Sequence, residues 1–311
     1  MKITSTRIKL DVAADVRGLA TERENPVSAN LDQLSSLAIA RIINQEDRSV
    51  PLVIEAALPD IARAIDAVYS AFQLGGRLIY VGTGTSGRLG ALDSSECPPT
   101  FNARKEMVQY VMAGGDRALG HAVEANEDSP ALGRRDIARK RPGKKDVVCG
   151  LAASGRTPYT VAALEYARAK GAVTICITAN PGSPITTAAD ISIAVDVGPE
   201  VIAGSTRMKA GTMQKLVLNT ITTGAFTRLG YVYGNLMVNV HLKNKKLVER
   251  GIGIVQRVTG AGREVALATL EASAGSVPVA LVMLKALVTR REAERRLKRA
   301  GGSVRKALGQ Q

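Results

Sequence analysis

The sequence predicts an α/β fold built on a doubly wound, parallel, five-stranded sheet, with helices before it and a small helical region after it. Three observations carry this. Five short apolar runs, at 77–81, 108–113, 146–151, 173–178 and 191–197, alternate with helical stretches, the pattern of strands joined by crossover helices. Two of these runs lead directly into Gly/Ser/Thr loops that open a helix. Past Ser205 the periodicity turns helical and stays so between Gly-rich turns.

In chain order, Asn25-Pro26 marks a turn, and Asn30 to Gln33 has the spacing of a capping box, so a helix is expected to follow as far as Gln45. Two more helices are expected at 50–58 and from Pro59 to Leu74, where Gly75-Gly76 stops the second. The sheet region follows. Over the last fifty residues three short helices are expected: Pro278 suits a first turn, Thr289 with Glu292 forms a capping box, and Gly301-Gly302 ends the basic helix. The resulting division is an N-terminal helical segment at 1–57, a sheet domain at 58–231 and a C-terminal helical region at 232–311.

Composition narrows the function. With 311 residues, 45% hydrophobic and 23% charged, the chain can bury a sizeable core. Aromatic residues make up 3% and Trp is absent, so recognition rests on polar groups and backbone rather than stacking platforms. The first twenty residues lack the continuous apolar stretch of a signal peptide, and no later run reaches membrane-spanning length. Cys97, Cys149 and Cys176 form an odd set, two of them in strand-like runs, which points to a reducing cytoplasm. The net charge is +14, yet 134–145 carries seven basic residues against one acid and 290–306 eight against two. Charge gathered in two such runs is read as solvated surface, and no specific nucleic-acid binding is expected.

The first loop is Gly82-Thr83-Gly84-Thr85-Ser86-Gly87. Backbone amides and hydroxyls converge there on an anion at a helix N-terminus. The glycine spacing matches a dinucleotide fingerprint, but Pro98-Pro99 is expected to break the crossover early, and no acid stands at the end of a second strand for a ribose. A nucleotide P-loop is excluded because Arg88-Leu89 follows Gly87. A second loop, Ala152-Ala153-Ser154-Gly155-Arg156-Thr157-Pro158, repeats the arrangement. Gly84, Thr85, Ser86, Ser154, Gly155, Arg156 and Thr157 are therefore the candidate phosphate-binding residues, and a phosphate monoester fits them better than a nucleotide. A third stretch, 198–215, enters a helix through Ser205-Thr206 and places Arg207 and Lys209 to meet a second anionic group. Glu200 and Ser205 are further candidates for substrate contact.

These stretches carry a resemblance. The third resembles the signature shared by bacterial N-acetylmuramic acid 6-phosphate etherases and the glucokinase regulatory protein, and the two loops resemble their sugar isomerase (SIS) domain. Similarity runs from TERENP and NLDQLS through GTGTSGRLGALDSSECPPT, AVEANEDS, AASGRTPY and GNLMVNV, nearly the whole chain. A single SIS domain favours the etherase over the regulatory protein, which carries two. The resemblance implies cleavage of a D-lactyl ether, giving N-acetylglucosamine 6-phosphate and D-lactate, in a homodimer with sites near its subunit interface. An aldose-ketose sugar phosphate isomerase and a sugar-phosphate-sensing protein are the alternatives.

The resemblance also implies catalytic roles for Glu96, in Ser94-Ser95-Glu96-Cys97-Pro98-Pro99, and Glu127, in Glu124-Ala125-Asn126-Glu127-Asp128. Elimination from the open-chain aldehyde needs a base at C2 and a group that protonates the leaving oxygen and then activates water. Glu96, one helix past the first loop, is expected to reach the same crevice, and Glu127 to sit in a helix after the second strand. Glu124 and Asp128 are alternative carboxylates. No metal or cofactor is expected: His121 and His241 are too few for a metal cluster and Cys97 has no His beside it in sequence. Independently, Leu31, Leu34, Leu37, Ile39, Ile42 and Ile43 give the N-terminal helical segment an apolar face that a second subunit would cover.

Overall fold

The computed structural model describes residues 19–121 and 126–310. Its centre is a sheet of five parallel strands, β1 (Leu78–Gly82), β2 (Val108–Met112), β3 (Val147–Leu151), β4 (Val173–Thr178) and β5 (Ile191–Ala194), in the order β2-β1-β3-β4-β5. Every residue of β1 and β3 is buried, as strands covered on both faces require. Alternation sorts their side chains: Leu78, Tyr80, Cys149 and Leu151 enter one core, and Ile79, Val81 and Val148 the other. β5 stops at Ala194, short of the expected 197, because its neighbour β4 ends at Thr178, the residue that pairs with Ala194.

Helices α1 (Ser36–Asp47), α2 (Val50–Ile54), α3 (Leu58–Gln73), α4 (Gly84–Phe101), α5 (Arg117–Gly120), α6 (Pro130–Ala138), α7 (Pro158–Ala169), α8 (Pro184–Thr187) and α9 (Lys209–Phe226) surround the sheet. Helices α3, α4 and α9 contribute to the first core, where all three phenylalanines of the chain stack: Phe226 lies 4.6 Å from Phe101 and 5.3 Å from Phe72 between ring centroids. Helices α6 and α7 pack together against the opposite face. Burying each such ring contributes about 1.5–3 kcal/mol.

Local expectations were met unevenly. The Asn30 side chain makes no cap; residues Leu31–Gln33 form a short turn, and α1 begins later because Ser35 accepts the Ala38 amide. Pro98-Pro99 does not break α4, which continues to Phe101. A proline removes its own amide and crowds the carbonyl four residues back, so two prolines in the last turn disturb only the end of the helix.

After the irregular turn Thr227–Tyr231, a two-stranded hairpin (β6, Val232–Tyr233; β7, Leu236–Met237) leads to α10 (Lys245–Thr259), α11 (Arg263–Ala272), α12 (Val277–Ala286), α13 (Arg290–Arg299) and α14 (Val304–Ala307). These helices enclose a core of their own, from Val238 to Ala307. Caps are explicit: Asn244, Ser276, Thr289 and Ser303 each accept an amide of the following first turn. Among the described residues no single helix is long and apolar enough to cross a membrane.

Candidate active site

The sheet order reverses direction between β1 and its neighbour β3, and the loops beyond the carboxyl ends of such a strand pair form the ligand crevice of doubly wound sheets. Register makes the two loops level, since Gly82 pairs with Leu151. Gly87 lets α4 start close to the strand: a Cβ there would come within 2.8 Å of the Gly82 carbonyl oxygen. The first helical hydrogen bond of α4 runs from the Gly87 amide to the Thr83 carbonyl, which leaves the Gly84, Thr85 and Ser86 amides at the open end of the helix. Thr85, Ser86, Ser154 and Thr157 are half-buried around this opening, while Arg156 is exposed.

The second loop departs from expectation at Gly155. Its amide donates to the Ala152 carbonyl, its φ is +67°, and a Cβ would collide with Ser183 Oγ. Glycine is required there by a left-handed turn packed on Ser183 and Thr178, not by the approach of a ligand.

The two glutamates are not side by side. Glu127 lies in a turn ahead of α6, not in a helix, and its carbonyl accepts the Tyr159 amide in the first turn of α7. That anchor brings the Glu127 carboxylate over the first loop: Oε1 is 3.5 Å from where a Cβ on Gly84 would stand. Glu96 is twelve residues beyond Gly84 on the same helix, about 18 Å along its axis at 1.5 Å per residue, and it is exposed. Glu96 therefore does not reach the crevice of its own chain, contrary to the expectation from sequence. Asp128 is exposed, and Glu124 lies outside the described residues.

The chain is 49% identical over 294 residues to the N-acetylmuramic acid 6-phosphate etherase of Photorhabdus laumondii subsp. laumondii, a match that covers 94% of this chain and 98% of that one. The N-acetylmuramic acid 6-phosphate etherase of Pasteurella multocida is 50% identical over 94% of this chain and 97% of its own length. The chain belongs to the N-acetylmuramic acid 6-phosphate etherase family. Residues 60–168 match the glucokinase regulatory protein N-terminal SIS domain, and 141–223 match the SIS domain family. In fold, a phosphoheptose isomerase from Francisella tularensis is similar with a TM-score of 0.51 at 19% identity, over 62% of this chain and 100% of that one.

In this etherase-family chain the third stretch is mostly structural. Glu200 is 0% exposed, and its two carboxylate oxygens accept the Lys209 and Ala210 amides, capping α9. Burial pushes its carboxyl above the usual range, only partly offset by those amides and the Lys209 charge. Lys209, 3% exposed, donates from Nζ to Glu46 Oε2 on α1 at 2.6 Å. Both candidates for substrate contact are thus occupied within the protein; Ser205 is half-buried and Arg207 exposed just ahead of α9.

A residue not singled out from the sequence joins the site instead. Gln214 on α9 is 1% exposed, and its Oε1 accepts the Ser86 hydroxyl at 2.9 Å. Its Nε2 is buried without a partner among the described residues. Gly211, one turn earlier on the same helix face, lies beside Thr85 and Leu89 of α4, where a Cβ would make ordinary contacts, so no local signal in the sequence marked the pairing. Asp93 fastens the same two helices lower down, accepting from Tyr80, Asn219 and Thr222. Burial raises its carboxyl, against the pull of those donors.

Proposed function

We propose that the chain cleaves the D-lactyl ether of N-acetylmuramic acid 6-phosphate to N-acetylglucosamine 6-phosphate and D-lactate, by elimination and then addition of water, in the cytoplasm. The observation that supports this best is the two-loop anion cradle with a carboxylate beside it, in a chain nearly half identical over its length to enzymes of that name. The phosphate is held by the α4 first-turn amides with Thr85 and Ser86, and by Ser154 and Thr157 across the crevice. In the open-chain aldehyde the C2 proton is acidified by the carbonyl. Glu127 removes it, the C3–O bond breaks as the C2–C3 double bond forms, and a second acid protonates the departing lactate oxygen. The same group then deprotonates the water that adds at C3, and a proton returns to C2.

That second acid is Glu96 of a second copy. None of the residues of α1 is buried in its own chain, and Leu37 is 61% exposed. On α4, Leu92 is 50% exposed one turn before Glu96 and on the same face. A homodimer that covers this apolar surface brings the carboxyl end of one α4 towards the crevice of the other subunit. The segment 1–57 would serve that contact, 58–231 the chemistry, and 232–311 would form an attached helical unit. The cytoplasmic assignment rests on three free, buried cysteines.

An enzymatic assay for lactate released from N-acetylmuramic acid 6-phosphate tests the activity. Stoichiometric lactate and N-acetylglucosamine 6-phosphate are expected. Interconversion of sugar phosphates without lactate would instead establish an isomerase, and binding without turnover a sensor.

A further inference from the structure

A second polar cavity lies at the opposite end of the sheet from the two loops. It has a volume of about 340 Å³, at the small end of the range typical of ligand sites, about 300–1,000 Å³. It opens where α3 and the turn before β2 meet the junction of α13 and α14, and is lined among others by Tyr69, Arg104, Arg228, Tyr231, Ser303 and Lys306. Three cations and no carboxylate line it. Arg228 is already engaged, ion-paired with Asp66 and stacked 4.4 Å over the Tyr69 ring. Arg104 and Lys306 have no carboxylate partner among the described residues. Arg104 and Lys306 are both exposed where they line the recess, and an anion seated between them is attracted by both.

The larger cavity at the edge strand β2 is a useful contrast. It holds about 450 Å³ and is lined by Arg135, Arg139 and Lys140, but Asp136 pairs with both arginines. Its charge is largely satisfied; that of the junction cavity is not.

The junction cavity also spans two cores. Arg104 and Tyr69 belong to the sheet domain, Ser303 and Lys306 to the C-terminal helices, and the chain between them is closely packed. Gly230, at φ +85°, sits so near Ser303 that a Cβ would come within 2.6 Å of the Ser303 Cα.

We propose that the junction cavity binds a phosphoryl group, carried by inorganic phosphate or by a sugar phosphate, and that the bound anion ties α14 to the sheet domain. The guanidinium fork of Arg104 matches phosphoryl oxygens, and Lys306 adds a point charge from the other side. Part of the basic run at 290–306 then has a local purpose rather than being solvated surface alone.

Calorimetric titration of the full chain with inorganic phosphate and with a hexose 6-phosphate tests this, with succinate as a carboxylate control. Two phosphoryl sites per chain are expected, with little response to succinate. Arg104→Gln and Lys306→Met, which keep side-chain bulk, should each weaken one site about tenfold or more, whereas Ser154→Ala should weaken only the other. Hydrogen exchange in α14 should slow with phosphate in the wild-type chain and not in Arg104→Gln. Tighter binding of the hexose phosphate at this site would identify a sugar phosphate as its ligand; equal binding would identify free phosphate. A single site abolished by Ser154→Ala and untouched by the Arg104 and Lys306 substitutions overturns the proposal.

Discussion

The two ends of α4 are built for different neighbours. At the amino end, Gly84, Thr85 and Ser86 are half-buried: the Glu127 carboxylate lies over Gly84, Gly211 of α9 lies beside Thr85, and Gln214 holds the Ser86 hydroxyl. At the carboxyl end Glu96 and Leu92 are exposed. One helix is therefore packed against its own chain at one end and open at the other. A group close in sequence to a phosphate loop need not act on the ligand of that loop, because a straight helix carries it away at 1.5 Å per residue.

The sharpest way to break this contrast is Glu96→Gln. If the carboxyl end supplies acid-base chemistry, lactate release falls at least about 10²-fold while sugar phosphate binding is kept; activity within about threefold of wild type would remove Glu96 from the mechanism.

At the amino end, Ser86→Ala and Ser154→Ala should each cost roughly 1.5–3 kcal/mol of binding to the phosphorylated sugar and little to its dephosphorylated form. Equal losses for both ligands, measured by calorimetry, would place the phosphate elsewhere.

Mixing subunits tests whether the two ends serve different crevices. Chains carrying only Glu96→Gln and chains carrying only Glu127→Gln should each be inactive. Refolded together at equal amounts, they should recover about one quarter of wild-type activity, since about half the dimers are mixed and each has one intact site. No recovery in dimers shown to be mixed would mean that both glutamates act within one chain.

The smallest effect concerns the anchoring of α1 to the start of α9 by the Glu46–Lys209 ion pair. Burial alone would push the Glu46 carboxyl up, but the Lys209 hydrogen bond, the Asn25 amide and the Lys209 charge together hold it below its ordinary 4.5. Stability from a carboxyl lowered in this way is present above that value and is lost as the pH falls through the lowered folded one. Hydrogen exchange should therefore show α1 protected at neutral pH and loosened in acid. Lys209→Met should loosen it at neutral pH and remove the acid-dependent change, at a cost of up to about 3 kcal/mol; unchanged exchange in α1 would show that the ion pair does not anchor it.

Much of this molecule is legible along the chain. Five apolar runs predicted five parallel strands because strands buried on both faces must be apolar throughout, and β4 was read to its last residue. The loops after β1 and β3 were legible as strand-to-helix turns because Gly, Ser and Thr at the end of an apolar run end the strand and suit the start of a helix. Less legible were groups whose partners lie far off in sequence. Glu200 reads as a candidate for substrate contact until α9 folds back to present two amides to it, and Lys209 as a ligand for an anion until Glu46, 163 residues earlier, takes its charge. Gln214 was passed over because its partner, Ser86, is 128 residues away.

The sequence by itself determined the family, the sheet, the two Gly/Ser/Thr loops and the presence of two glutamates, since each is written in local patterns of residue type and spacing. Only the tertiary structure decided where the glutamates go. A turn anchored by one backbone hydrogen bond carries Glu127 back over Gly84, while the unbroken helix α4, its prolines confined to the last turn, carries Glu96 about 18 Å away to an exposed position.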